Sequence, residues 1–293
     1  MEKKKKRKMD EIVNSIVVVS DLHCGCRLGL CPAKGVALDD GGTYYPSKFQ
    51  RKLYSWWREF WDEVVEEYTR GEPYAIVVNG DALDGVHHSA VTQISQNLSD
   101  QTNIAYDLLS PIVKRCDGRY YHIRGTEAHV GKSGQEEERL ARVLGAIPNS
   151  DGQYSRYVLW KYIGSPDRTS RPFLLNFSHH IGTTGSMAYE TTAVMKELVE
   201  AYSEAGRWKR RPPDLIVRSH RHRYIRIEVP TANVRGISLV TPGWQGKTPF
   251  MYRLAGARQS EPQIGGVVIR VSEEGELYVR SWVRSFDRPT VER

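Results

Sequence analysis

Four short apolar runs in this chain each lead into Asp or His, residue types able to ligate metal ions: SIVVVSDLH (15–23), AIVVNGDALD (75–84), FLLNFSHH (173–180) and LIVRSHRH (215–222). The first run is β-branched and apolar on both faces, the signature of a strand buried between layers. A fifth run, RYYHIR (119–124), leads into Gly125, Thr126, Glu127, Ala128 and His129. The segments between the runs carry helical spacing. Residues 47–70 place Phe49, Leu53, Trp56, Trp57, Phe60, Trp61, Val64, Val65 and Tyr68 at that spacing, with Ser47 and Gln50 as a capping box and Gly71 as a stop. Further helices are expected near 92–109, over QEEERLARVLGA (135–146) and over SMAYETTAVMKELVEAYSEAG (186–206). Strand and helix thus alternate with right-handed crossover logic, and ISLVT, GGVVIRVS and ELYVRSWV read as a closing meander. No repeat or Gly/Ser/Pro-rich linker divides the chain. The expected architecture is one α/β domain over 15–293, two sheets flanked by helices, behind a basic tail over 1–14.

A chain of 293 residues buries a core without cross-links. Its four cysteines, Cys24, Cys26, Cys31 and Cys116, read as reduced thiols; the C-x-C-x4-C cluster lacks a fourth ligand of suitable spacing and is at most an accessory zinc feature. The apolar stretch behind MEKKKKRKMDE is too short for a signal core or a membrane span, so a soluble, cytoplasmic protein with no membrane partner is expected. The net charge of +7 favours anionic partners. Part of it sits in KKKKRK, which reads either as a solvated end or as a phosphate-binding arm.

The nine histidines all fall at or just beyond the ends of expected strands: His23, His87, His88, His122, His129, His179, His180, His220 and His222. Loops at strand C-terminal ends are where open α/β sheets build sites. Side chains two apart on an extended chain face the same way, so Asp21 with His23, and His220 with His222, can each grip one ion. Asp81, after Gly80, can offer both carboxylate oxygens, and His179 and His180 leave a third strand. Mixed carboxylate and imidazole ligands suit Zn, Mn or Fe. Two such ions about 3.5 to 4 Å apart, sharing Asp81 and a hydroxide, form an in-line hydrolysis site for phosphoryl groups.

The order D-x-H, G-D-x-x-D, G-T-E-A-H, H-H and S-H-R-H, spread over about residues 15–250, resembles the calcineurin-like metallophosphoesterases, the superfamily that includes Mre-type nucleases and cyclic-nucleotide phosphodiesterases. The resemblance implies a four-layer α/β/β/α sandwich with a dinuclear centre at the strand C-terminal ends. It implies Asp21, His23, Asp81 and His222 on one ion, and Asp81, His179 and His220 on the other, with one more ligand from the third motif. That motif departs from the family's Gly-Asn-His-Asp/Glu. Thr126 stands in the asparagine slot, and either Thr126 or Glu127 is the replacement ligand, with Glu127 preferred because a hydroxyl is the poorer ligand. His129 falls two residues later than the family's histidine; its expected role is to orient the phosphate or protonate the leaving oxygen. His87 or His88 could do the same from the second loop.

His179 is preferred to His180 as ligand, and Ser219 replaces a glycine. Asn79 and Asp84 are candidates for orienting ligands, while Arg124 and Arg218 are not assigned. The function implied is a phosphodiesterase or nuclease acting on nucleic acid or nucleotides, with two divalent transition metal ions, Mn favoured over Zn or Fe. Asp81 and His129 are its expected catalytic residues, with His88 as a substrate contact; Trp244, in TPGWQGKTPF, reads either as stacking on a base of the substrate or as a packed loop tryptophan. The rivals are a phosphomonoesterase or phosphoprotein phosphatase, and an inactive scaffold of the same fold.

Overall fold

The computed structural model describes residues 12–87, 90–182, 186–230, 235–253 and 260–287. Its first strand, β1 (Ser15–Val19), is buried end to end: Ile16 and Val18 face a core between two sheets, and Val17 and Val19 face a core beneath helices. This two-sided burial is what its unbroken apolar run requires. Beside it lie β4 (Tyr74–Asn79), β5 (Tyr120–Ile123) and β6 (Ser155–Arg156), all parallel, and on its other side β12 (Ile264–Val271) and β13 (Leu277–Arg284), antiparallel. The six-stranded order is β13-β12-β1-β4-β5-β6. The register sets Ser15 opposite Tyr74 and Val19 opposite Val78, so β1 and β4 end level with one another.

A second sheet has the order β10-β11-β9-β8-β7, from β7 (Leu159–Ile163), β8 (Phe173–Phe177), β9 (Leu215–Arg218), β10 (Ile225–Pro230) and β11 (Arg235–Val240). β8, β9 and β11 are parallel. Leu175, Phe177, Leu215, Val217, Ile237 and Leu239 meet Ile16, Val18, Ala75 and Val77 between the sheets. A small hairpin, β2 (Val36–Ala37) with β3 (Thr43–Tyr44), lies in the loop after β1.

Helices cover both outer faces. On the first sheet lie α1 (Lys48–Glu59) and α2 (Val65–Thr69), joined by a π-helical turn over Phe60–Val64, then α3 (Leu98–Arg115), and, after the single turn α4 (Glu127–Val130), α5 (Gln135–Leu144). On the second sheet α6 (Glu190–Arg207) packs over β10 and β11, with Val194 against Ile181, Ile225 and Val240. A last short helix, α7 (Pro249–Arg253), precedes β12. The result is the expected four layers, α/β/β/α. None of the helices among the described residues is long and apolar enough to cross a membrane.

The capping box of α1 forms as read, with Gln50 N donating to Ser47 Oγ at 3.2 Å and Gln50 Oε1 accepting from Ser47 N at 3.2 Å. The helix expected near 92–109 lies instead at Leu98–Arg115. Asn97 sets its start by accepting from Ser99 N at 2.8 Å, and the helix runs on through Pro111, whose missing N–H counts against a helix in any local reading. β7 and β10 were not anticipated. The expected tail over 1–14 is shorter at its inner end, because Val13 is buried between the sheets and its carbonyl accepts from Gly164 N at 3.0 Å. The KKKKRK segment lies outside the described residues.

Candidate metal centre

The parallel strands of both sheets end at one seam, and the turns that leave them share an unusual backbone. Asp21, His23, Asp81, His220 and His222 all have positive φ, of 53°, 45°, 51°, 73° and 51°. For residues with a Cβ this costs about 1–2 kcal/mol each, and such strain clusters where side chains must be aimed. The first two exits are zipped together: Asp21 N donates to Gly80 O at 2.9 Å and His23 N to Asp81 O at 3.1 Å. Two glycines make room. A Cβ at Gly80 would stand 2.5 Å from His179 Nδ1, and one at Gly125 would stand 2.0 Å from Asp81 Oδ1.

Two groups of metal-ligating side chains result. In the first, Asp21, His23 and His222, the two imidazole Nε2 atoms are 3.2 Å apart and Asp21 Oδ1 is 3.3 Å from His222 Nε2. In the second, Asp81, His179 and His220, Asp81 Oδ2 is 2.9 Å from His179 Nε2 and 4.0 Å from His220 Nδ1. Asp21 Oδ1 also lies 3.9 Å from His179 Nε2, so among the described residues Asp21, and not Asp81 as expected, is the carboxylate within 4 Å of histidines in both groups; Asp81 meets only His179 and His220. That oxygen is buried with no well-aligned hydrogen bond, only His222 Nε2 at 3.3 Å and His179 Nε2 at 3.9 Å beside it, which is costly for a carboxylate unless a cation meets it. Separations of 2.9 to 4.0 Å suit ligands that share an ion at about 2.0–2.2 Å. The donor set therefore fits divalent transition metals.

The surrounding hydrogen bonds fix which ring nitrogens point inward. His179 Nδ1 donates to Asn79 O at 2.7 Å, leaving Nε2 for the site. His23 Nδ1 faces Asp84 Oδ1 at 3.2 Å, again leaving Nε2. Asp84, His23 and His129 could also be read as a third metal group. Asp84 Oδ1, however, meets the Nδ1 of His23, whose Nε2 already faces the first group, and Gln245 Nε2 and Gln93 Nε2 hold the carboxylate at 3.2 and 2.9 Å, so Asp84 sits behind His23 and orients it. Beneath the site Asn79 Nδ2 donates to Ser219 Oγ at 2.7 Å, and Ser219 and Ser20 each share a hydrogen bond with Thr241 Oγ1 at 2.7 Å. This buried chain ties both sheets together and gives Ser219, in place of a glycine, a part to play.

Charge follows the same geometry. Burial acts to raise the Asp21 carboxyl, but His222 and then His179 more than offset it and hold it below the usual carboxylate range. Asp81 is likewise held low, against burial, by His179 and His129. Burial pushes His179 down, yet Asp81 and then Asp21 raise it to about 10. Burial dominates at His129, which falls to about 4.

Of the residues expected at the site, Asp21, His23, Asp81, His179, His220 and His222 come together. Glu127 does not. It is exposed at the start of α4, whereas Thr126 Oγ1 sits 2.8 Å from Asp81 Oδ2 and 3.4 Å from both His179 Nε2 and His220 Nδ1. Thr126 is thus the third-motif residue that faces the second group. His180 is exposed and stacks on His220 with ring centroids 5.3 Å apart. His129 packs against His23 at 4.6 Å, and its Nδ1 lies 2.5 Å from Asp84 O, leaving Nε2 to face elsewhere. His87 adjoins it at 4.3 Å. His88 lies outside the described residues.

Trp244 is a correction. It is fully buried, 4.9 Å from the ring of Trp57 and 6.1 Å from those of Phe60 and Trp282, so it cannot stack on a base. His122 lies within β5 with no exposure, facing Glu137 on the helix side. The cysteines are free and buried, burial pushes Cys26 to about 11 and Cys31 to about 12, and among the described residues no cysteine joins a group of metal-ligating side chains. Arg124 reaches Ser155 and Ser133, and Arg218 reaches Glu197 at 2.8 Å; neither turns to the site. Gln93, Gln245 and Thr241 escaped the sequence reading because nothing local marks them; only the folded seam brings them to the ligands.

The chain matches no family model and no curated protein sequence. Among solved structures it is similar to a Streptococcus pneumoniae protein described as a predicted phosphoesterase, at 10% identity over 92% of this chain and 98% of that one, with a TM-score of 0.33. It is also similar to Vps29 from Chaetomium thermophilum, at 11% identity over 96% of this chain and 100% of that one, with a TM-score of 0.36. The sulfate thiohydrolase SoxB from Thermus thermophilus is matched at 11% identity over 93% of this chain and 57% of that one, with a TM-score of 0.37. Overlaps this loose carry nothing about activity, and the site's own residues must. Two mixed sheets between helices give this chain the α/β/β/α layering that its motif resemblance to the calcineurin-like metallophosphoesterases implies, and two groups of Asp and His side chains lie at the strand ends.

Proposed function

We propose that this chain is a metal-dependent phosphoester hydrolase that prefers phosphodiesters. The observation that carries the reading is the pair of ligand groups joined through Asp21 Oδ1, a buried acceptor that has only the imidazoles of His222 and His179 beside it. Two divalent ions held there would lower the pKa of a water molecule and neutralise charge developing at phosphorus.

The protein's own part is positioning. Asn79 and Asp84 hold His179 and His23 with Nε2 inward, and Thr126 fixes both Asp81 oxygens, through its N–H at 2.7 Å and its hydroxyl at 2.8 Å. His129, held neutral by burial with Nδ1 donating to the Asp84 carbonyl, offers an Nε2 lone pair that can accept a hydrogen bond from a water. It is less suited to the general-acid role expected from the sequence. His220 is 31% exposed and so lies on the open side, where a phosphoryl group can enter.

The arginines adjoining the motifs favour a diester over a monoester. Arg124, Arg218 and Arg223 bind Ser155, Glu197 and Glu190, and Arg221 binds the carbonyls of Glu190 and Gly182. With these four cations engaged elsewhere, the extra negative charge of a monoester has less to meet it than the single charge of a diester. Nucleic acid or a nucleotide is the substrate class that the basic balance of the chain supports.

The test compares bis-p-nitrophenyl phosphate with p-nitrophenyl phosphate, using Mn-loaded protein and an Asp81→Asn control. Diester cleavage that disappears in the control supports the reading. Faster monoester cleavage would make the chain a phosphomonoesterase, and no cleavage with two ions bound would make it a scaffold.

A further inference from the structure

One buried acidic side chain near the site has no place in the ligand groups. Glu137, on α5, has no solvent exposure. Its Oε1 accepts from Ala82 N at 2.9 Å and its Oε2 from Gly125 N at 2.5 Å. Ala82 directly follows Asp81 and Gly125 directly precedes Thr126. The carboxylate therefore spans the turns that leave β4 and β5 and bonds each beside the residue that faces the second ligand group. Those turns are close, since a Cβ at Gly125 would fall 2.0 Å from Asp81 Oδ1. On its far side Glu137 Oε1 meets His122 Nε2 at 3.4 Å, and His122 Nδ1 lies 2.5 Å from the Tyr120 hydroxyl, also buried.

We infer that Glu137 is a positioning residue for the Asp81, His179 and His220 group: its two oxygens set the spacing between the Asp81 and Thr126 turns, and so the geometry in which that group meets a cation. The inference rests on the metal reading above and deepens it. Both acceptors are needed, because each turn presents an N–H. A glutamine keeps one acceptor and points an NH₂ at the other amide, which forces the turns apart. Asp21, His23 and His222 receive no bond from Glu137, so their group is spared.

The test titrates metal-free protein with Mn²⁺ alone by calorimetry. The wild type should show two classes of site. Glu137→Gln should weaken one of them by about 10–100-fold, as loss of an orienting partner does, and it should be the class that Asp81→Asn removes. Tyr120→Phe is the control for a merely structural role: it removes the hydroxyl beside His122, leaves both amide bonds, and should lower thermal stability in chelator without changing the ratio of the two affinities. If Glu137→Gln does not fold, Glu137→Asp, which keeps the charge but reaches only one amide, is read the same way. Parallel weakening of both classes, or two-site binding unchanged by the substitution, overturns this inference alone. A wild-type chain that takes up no Mn²⁺ overturns it together with the hydrolase reading.

Discussion

Asp21 Oδ1 lies 3.9 Å from His179 Nε2, although Asp21 follows a strand of the first sheet and His179 a strand of the second. The same oxygen is 3.3 Å from His222 Nε2. Asp21 is therefore the residue whose loss touches both ligand groups. Asp21→Asn should weaken both Mn²⁺ sites, each by more than the roughly 10–100-fold typical of an orienting partner, whereas Asp81→Asn should act mainly on one. Calorimetric titration of the two variants separates these outcomes, and equal effects from both would place the shared ligand elsewhere.

The third motif makes an independent prediction. Thr126 faces Asp81, His179 and His220, while Glu127 is exposed. Thr126→Val should lower affinity at the second group and reduce turnover. Glu127→Gln should change stability by less than about 0.5 kcal/mol, as surface substitutions do, and should leave Mn²⁺ binding intact. Metal analysis after dialysis reads the difference.

Trp244 contributes to the fold. Its ring packs among Trp57, Phe60 and Trp282 with no exposure. Trp244→Ala should destabilise the protein by about 3–5 kcal/mol, measured by equilibrium denaturation. The KM for a diester, measured where the variant is still folded, should stay unchanged; a large rise in KM with full stability would restore a substrate contact.

Stability of the cation-free protein should depend on pH through His179. Its imidazole is raised to about 10 by Asp81 and Asp21 against burial. A group whose folded pKa lies above its unfolded one stabilises fully below the unfolded value, here about 6.5, and loses that contribution as pH rises through about 10. Asp81, held low, loses its contribution only in acid, as pH falls below about 4. Thermal melts in chelator should therefore fall from pH 7 to pH 10. Mn²⁺ competes with the His179 proton, so the rise in melting temperature on adding it should be larger at high pH. Flat melts over that range in chelator would contradict the pairing.

What the sequence made legible was whatever is settled locally. SIVVVSDLH and LIVRSHRH announce a buried strand and its ligands in one stretch, because alternation and the strand exit act over a few residues. The choice between Thr126 and Glu127 was not legible. It turns on one residue of rotation where β5 gives way to α4: Thr126 keeps an extended backbone, with φ −74° and ψ 139°, and Glu127 begins the helical turn. Trp244 failed for a different reason. Its burial is set by α1 and β13, which lie far from it in sequence, and a loop rich in Gly and Pro gives no hint of them. Glu137 is likewise one acid among three at the start of α5, distinguished only by the two amides that the fold brings to it.

The most direct test of the account is the location of bound metal. Crystals grown with Mn²⁺ and measured for its anomalous signal should show two peaks about 3.5 to 4 Å apart, one among Asp21, His23 and His222 and the other among Asp81, His179 and His220. A single peak beside Asp84 and His129, or no peak at the seam between the sheets, would contradict it.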